Sequence, residues 1–293
     1  MGLNRRTDLK KEVDNMSMIR DAATVLLVRE AQGALQVYAQ RRSQQLQAFA
    51  GVWVFPGGSV EEQDRLPHWT QLLAPFDERQ ATNHAVWREQ NRPAIDTLDF
   101  RQRMRPLIEK RTGKTLPDDP VPDSSLEPAA NLAAWVAAMR ELFEETGVLL
   151  VSGAVPDRSA LRSMRRQVIR GELSFHEFLL QHAMQPEPNQ LRYMGRLLTP
   201  STVKRRFDTR FFLACLPAGQ EVDDHPEVTG EAVEGGWFTP REMLENVGGK
   251  FPIVPPTRYA LEVISAYSTL EELWNAFCPP EEGKGEAYCG SSA

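Results

Sequence analysis

The chain has 293 residues, 41% hydrophobic content, 8% aromatics and a formal net charge of −6. That balance fits an ordinary soluble globular protein of one large or two small domains, and its mild acidity argues against nonspecific nucleic-acid binding. No 18-residue apolar run is present, so no membrane span is expected, and the basic, polar N-terminus lacks the apolar stretch of a secretory signal.

Residues 1–17 read as a loose tail, residues 18–280 as one domain and residues 281–293 as a polar, disordered tail. Ala22–Val28 is rich in β-branched and aliphatic residues and reads as a strand; Leu35–Gln40 makes a second, and a third leads into Pro56-Gly57-Gly58. Glycines after an apolar run let bare backbone come close to another group. Residues 65–127 change character. Trp69, Leu72, Leu73 and Phe76, then Ala85 to Gln90, then Phe100 to Arg111 predict two or three amphipathic helices. A Pro-rich exit follows from Leu116 to Pro128. This insertion reads either as a cap beside an active site or as a surface elaboration.

A long helix is predicted from Pro128, which suits a first turn, to Gly147, which suits a left-handed C-terminal cap. At 100° per residue Leu132, Val136, Met139 and Phe143 share one side, with Trp135 beside it. Ala134, Ala137 and Ala138 lie opposite, in line with Glu141, Glu144 and Glu145, and leave room for a ligand. Three carboxylates on one face are unfavourable by roughly 0.2–0.5 kcal/mol per pair. At a helix C-terminus they also oppose the macrodipole. A bound divalent cation would compensate.

Beyond that helix, Val148–Val151 reads as a strand, and Arg158–Arg170 and Ser174–His182 as helices. Leu191–Leu198 and Phe207–Leu216 read as strands, and Trp237 ends another. Thr239 and Glu242 have capping-box form. One long helix is expected from Pro256 to Phe277. Cys215, Cys278 and Cys289 have no metal-ligand spacing, and an odd count gives no disulfide framework, which implies a reducing, cytoplasmic setting. His68, His84, His176, His182 and His225 read as structural or surface residues. Interleaved strands and helices predict a mixed sheet between helical layers.

Taken together, the glycine turn and the acidic helix resemble the Nudix hydrolase signature, G-x5-E-x7-R-E-U-x-E-E-x-G-U with U aliphatic. Counted from Gly58, Asp64 stands where the pattern has Glu, and Arg140 to Val148 match every fixed position of the second half. Between Asp64 and Arg140 lie 75 residues, so an insertion splits the box. A split box is similar to that of the peroxisomal coenzyme A diphosphatases of animals. Asp64 and Trp69 after Phe55-Pro56-Gly57-Gly58, and Thr199-Pro200 with Arg205 to Phe212, fit the same branch. A coenzyme A-type motif upstream matches at Arg42, Ser43, Gly51 and Phe55 to Gly58, with Gln47 where a second Arg is expected.

The resemblance implies an α/β/α sandwich with a mixed sheet and a helical insertion within the box. It implies Mg²⁺ or Mn²⁺ held by Glu141, Glu144, Glu145 and the Gly57 carbonyl, with Arg140 orienting a glutamate by a bidentate contact. The implied reaction is hydrolysis of a nucleoside diphosphate derivative, a small molecule, with coenzyme A or acyl-CoA the first expectation. ADP-ribose or dinucleotide pyrophosphatase activity and a non-catalytic nucleotide-sensing module are the alternatives. The general base would be one of the glutamates or a loop acid such as Glu227 or Glu231. Arg41, Arg42, Arg205 and Arg206, with Gly58, are candidates for substrate contact. A homodimer stays open.

Overall fold

The computed structural model describes residues 19–45, 50–77, 79, 81, 95–118, 128–203, 205–223, 230 and 232–277. Within them the chain folds around one seven-stranded sheet. Its strands are β1 (Arg20–Ala31), β2 (Ala34–Arg42), β3 (Trp53–Val54), β4 (Gly57–Ser59), β7 (Leu191–Leu198), β8 (Phe207–Cys215) and β9 (Ala232–Phe238). The path β3-β2-β1-β8-β7 is extended by β4 on β1 and β9 on β2. β1 runs parallel to β8 and antiparallel to β2 and β4, so the sheet is mixed. A separate two-stranded sheet joins β5 (Val151–Ser152) and β6 (Gln185–Pro186).

β1 is apolar on both faces because both faces are covered. Ala23, Val25 and Leu27 point into one core; Leu26 and Val28 point into the other. A strand buried on both sides reads as a continuous apolar run rather than an alternating one. The first core takes helix α3 (Pro128–Thr146), with α4 (Arg158–Ile169) and α5 (Phe175–Gln181) beyond it. The second takes α6 (Pro240–Glu245), α7 (Pro255–Ile264) and α8 (Leu270–Ala276). The result is the α/β/α sandwich expected from the sequence.

The insertion contributes to both cores. Trp69, in helix α1 (His68–Leu72), enters the first core with Leu73 and Phe76. Phe100 and Met104, in helix α2 (Thr97–Thr112), enter the second. Between them Ile95 forms a parallel bridge to Gly195 of β7, so the segment passes around the β7 edge. Tyr259 of α7 anchors α2 through a 2.6 Å bond from its hydroxyl to Asp99. The helix expected over Ala85 to Gln90, both terminal tails, Gln47, Glu227 and Glu231 lie outside the described residues.

Four expectations need correction. Residues 131–140 of α3 are buried all round, so Ala134, Ala137 and Ala138 open no ligand space. They sit in the first core with β1, where small side chains let helix and sheet lie close. Val148–Leu150 form no strand. Gln220 takes the place of a neighbouring strand, accepting from Leu149 N–H (2.8 Å) and donating to its carbonyl (2.7 Å). The single helix over 256–277 is two, because Thr269 starts a new one by accepting from Glu272 N–H while the Glu272 carboxylate accepts from Thr269 N–H. Finally, Cys215 is disulfide-bonded, so the cysteines no longer argue for a reducing compartment.

Candidate active site

Helix α3 delivers the acidic cluster, and β4 is laid across it. Gly147 ends the helix in the left-handed region (φ 74°), donating to the Phe143 carbonyl at 2.8 Å. Two further groups close the terminal carbonyls. Asp223 N–H donates to Thr146 O (2.7 Å), and buried Arg165 of α4 donates Nε to Glu144 O (2.9 Å) and Nη1 to Asp223 O (2.9 Å). A cation on the last carbonyls offsets the field that disfavours carboxylates there. Burial draws the Arg165 guanidinium down to about 10, with Asp223 opposing that shift.

β4 meets this helix end at close quarters. Gly57 N–H and Gln40 Nε2 both donate to Glu145 Oε2, at 2.8 and 2.6 Å. A Cβ on Gly58 would lie 2.4 Å from Glu141 Oε1, and one on Gly57 would lie 2.3 Å from the Ala23 carbonyl. A methyl on Gly58 would thus meet the movable end of a side chain, whereas one on Gly57 would meet fixed backbone.

Arg140 organises the cluster from beneath. It is 1% exposed and forms a two-pronged pair with Asp64, Nε to Oδ1 and Nη2 to Oδ2, both 2.9 Å. Nη1 reaches Glu141 Oε1 (2.9 Å) and Glu144 Oε2 (3.2 Å), and Nη2 also reaches Ser59 O (3.0 Å). The expectation that Arg140 holds a glutamate bidentately is thus corrected: the fork goes to Asp64, and Glu141 and Glu144 share one nitrogen. Burial opposes the Arg140 charge, yet Asp64, Glu141 and Glu144 outweigh it and hold the guanidinium protonated.

Burial is also the main force on the glutamates. It pushes the Glu141 carboxyl up to about 8 against the attraction of Arg140, and it raises Glu144 for the same reason. A carboxylate held in low dielectric gains most from a cation. Glu141 and Glu144 each keep a second oxygen that no protein donor among the described residues occupies. Those hard oxygens fit Mg²⁺ or Mn²⁺. The three carboxylates are turned onto Arg140, Gln40 and Gly57, and among the described residues no group of three His, Cys, Asp or Glu side chains is already gathered as a cage.

The arginine candidates separate. Arg41 pairs with Glu234 (2.6 Å). Arg206 donates Nε to Thr199 O (3.1 Å) and so closes the loop before β8. Arg42 is half-buried at the end of β2, and Arg205 is exposed. Sequence reasoning passed over a buried charged row on the α3 face of the sheet. Ala23 pairs with Gly58 on one side and Arg210 on the other, and Arg210 pairs with Arg196. Arg196 bonds Asp208 (3.0 Å), and Arg210 bonds Asp21 (3.1 Å). The available signal was period-two spacing of charges within otherwise apolar strands.

A glycine strand laid on a glutamate-ended helix, within this sandwich, defines a Nudix-type domain. The chain belongs to the NUDT19 Nudix domain family, whose model matches residues 19–264. It is 28% identical over 261 residues to the acyl-coenzyme A diphosphatase NUDT19 of Xenopus laevis, covering 81% of this chain and 62% of that protein. The Homo sapiens counterpart is 29% identical over 247 residues, covering 78% and 60%. The chain thus spans less than two thirds of these relatives. In fold it is similar to a Nudix hydrolase from Alicyclobacillus acidocaldarius, with a TM-score of 0.60 at 23% identity, covering 90% of this chain and 100% of that one.

Proposed function

We propose that the chain hydrolyses the diphosphate bond of a nucleoside diphosphate derivative, with coenzyme A or an acyl-CoA as substrate and Mg²⁺ or Mn²⁺ as cofactor. The observation that carries this reading is the close packing of Gly57-Gly58 on the end of α3, where Gly57 N–H donates to Glu145 and a Cβ on Gly58 would meet the Glu141 carboxylate. Glu141 and Glu144 would hold the metal through their unoccupied oxygens. Glu145 and the Gly57 carbonyl would complete the set, with Arg42 and Gly58 toward the substrate. A bound divalent ion would neutralise the diphosphate and lower the pKa of a water. Arg140 holds Glu141 and Glu144 in place and opposes the burial that favours their neutral forms, and Asp64 keeps Arg140 in place. The names of the curated relatives favour an acyl-CoA over ADP-ribose.

The test is a panel of coenzyme A, acyl-CoA, ADP-ribose and a dinucleotide, each with Mg²⁺, Mn²⁺ or chelator, with products identified by mass. Water-driven cleavage of coenzyme A yields 4′-phosphopantetheine and adenosine 3′,5′-bisphosphate. Metal-dependent appearance of that pair supports the reading. Preference for ADP-ribose would move the assignment to a pyrophosphatase, and no turnover of any diphosphate would leave a sensing role.

A further inference from the structure

An apolar cavity of about 590 Å³ opens on the sheet face opposite α3. Two features that the diphosphate site leaves unused build it. The insertion supplies Phe100 and Ile108 of α2 and buried Leu116 beyond it. The Thr199-Pro200 and Phe207 to Phe212 segments supply Thr199, Pro200, Thr209 and Phe211. Val254 and the first turn of α7 close the remaining side. The charged residues of the lining, Arg111 and Lys114, are both basic, and neither pairs with a carboxylate among the described residues.

The sheet register ties this cavity to the glutamates. Gly58 and its partners Ala23 and Arg210 face α3. The next row, Ser59–Ala22–Thr209–Leu197, faces the other way, as successive residues of a strand must. Thr209 and Leu197 line the cavity. Thr209 therefore lies two strand spacings, about 10 Å, from Ser59. The Ser59 carbonyl is itself held by Arg140. The cavity and the glutamates lie on opposite faces, so an arm joining them would round the β4 edge of the sheet.

We propose that this cavity receives the aliphatic chain of an acyl-CoA whose diphosphate lies at Glu141 and Glu144. This rests on the function proposed above and assigns the insertion its part in it: α2 is a wall of the acyl site. An apolar lining of this size suits a hydrocarbon chain and offers a nucleoside few partners. The basic mouth attracts an anionic substrate.

Calorimetric titration of the full chain in chelator, where no turnover occurs, separates the two ideas. The probes are octanoyl-CoA and coenzyme A. Octanoyl-CoA is expected to bind at least tenfold tighter, the effect of burying about two methylenes of its chain. Thr202→Trp places an indole at the exposed mouth and should cut octanoyl-CoA affinity to that of coenzyme A. Val203→Trp is the second variant should the first melt early. Equal affinities in the wild type, or an acyl advantage that survives in both folded variants, would overturn the proposal. If the octanoyl advantage is present but neither compound is hydrolysed with metal, the acyl site stands and the hydrolase reading fails.

Discussion

Asp64 and Arg140 face each other through two parallel 2.9 Å bonds although 76 positions separate them. Both side chains are sealed from water, at 0% and 1% exposure. Removing Asp64 strips the buried guanidinium of its two-pronged partner and leaves Glu141 and Glu144 against its charge. Asp64→Ala should therefore lower stability by about 3–5 kcal/mol in urea denaturation. An unchanged midpoint would show that Arg140 finds its compensation elsewhere.

The two glycines of β4 should fail differently. In Gly58→Ala the new methyl meets the end of the Glu141 side chain, which can swing aside. Melting temperature should hold while hydrolysis falls. In Gly57→Ala the methyl meets the Ala23 backbone carbonyl at a positive φ of 153°, so the melting temperature itself should drop. Equal losses of stability in both variants would contradict this division.

Glu145→Gln keeps volume and removes charge. The fold should survive, since the Gln carbonyl can still accept from Gly57. Turnover should drop by about two orders of magnitude or more, the scale of one catalytic group. Rates like those of the wild type would exclude Glu145 from the reaction centre.

Arg165 fastens the end of α3. Replacing it in Arg165→Met leaves the Glu144 carbonyl and the Asp223 carbonyl without their charged donor. Hydrogen bonds to charged groups contribute roughly 1.5–3 kcal/mol. Amide exchange in the last turn of α3, at Gly147 above all, should quicken by about ten- to a hundredfold. Unchanged protection would mean that Gly147 and Asp223 suffice.

Asp21 sets a pH dependence. Burial favours its neutral form, but Arg65 and Arg210 outweigh that and hold its carboxyl below the usual range. A depressed carboxyl stabilises the folded state above its unfolded pKa, near 3.9. That contribution fades as pH falls through the folded value. Asp21→Asn should thus be less stable than wild type by about 1 kcal/mol or less at pH 7, and the difference should vanish in acid. A gap that grows below pH 4 would reverse the assignment.

The sandwich, the sheet strands and the glutamate helix were legible because periodicity and capping residues act locally. The meeting of Gly57 with Glu145 was legible only through the resemblance to the Nudix signature, since 75 residues intervene where the pattern has seven. What escaped reading involves partners chosen in three dimensions. Gln220 replacing a strand beside Leu149 leaves no trace in the 148–151 run, which looks like any short apolar strand. The Arg140 fork was assigned to a glutamate because nothing local says that Asp64 is dry. The break at Thr269 was visible as Thr-x-x-Glu, but an uninterrupted apolar period hid it. The cavity beside Thr209 drew on three distant segments and had no local signature at all.

The split of the box has a kinetic side. Where only seven residues part the two halves, they come together almost as a local turn; here 75 intervene. For an unstructured connector, that lengthening adds about 2 kcal/mol of closure entropy. It converts a near-neighbour contact into one of high contact order, the kind that forms slowly. The Asp64–Arg140 clasp should then be among the last contacts made as the chain folds. A shorter connector between Asp64 and Arg140 should bring the clasp together faster.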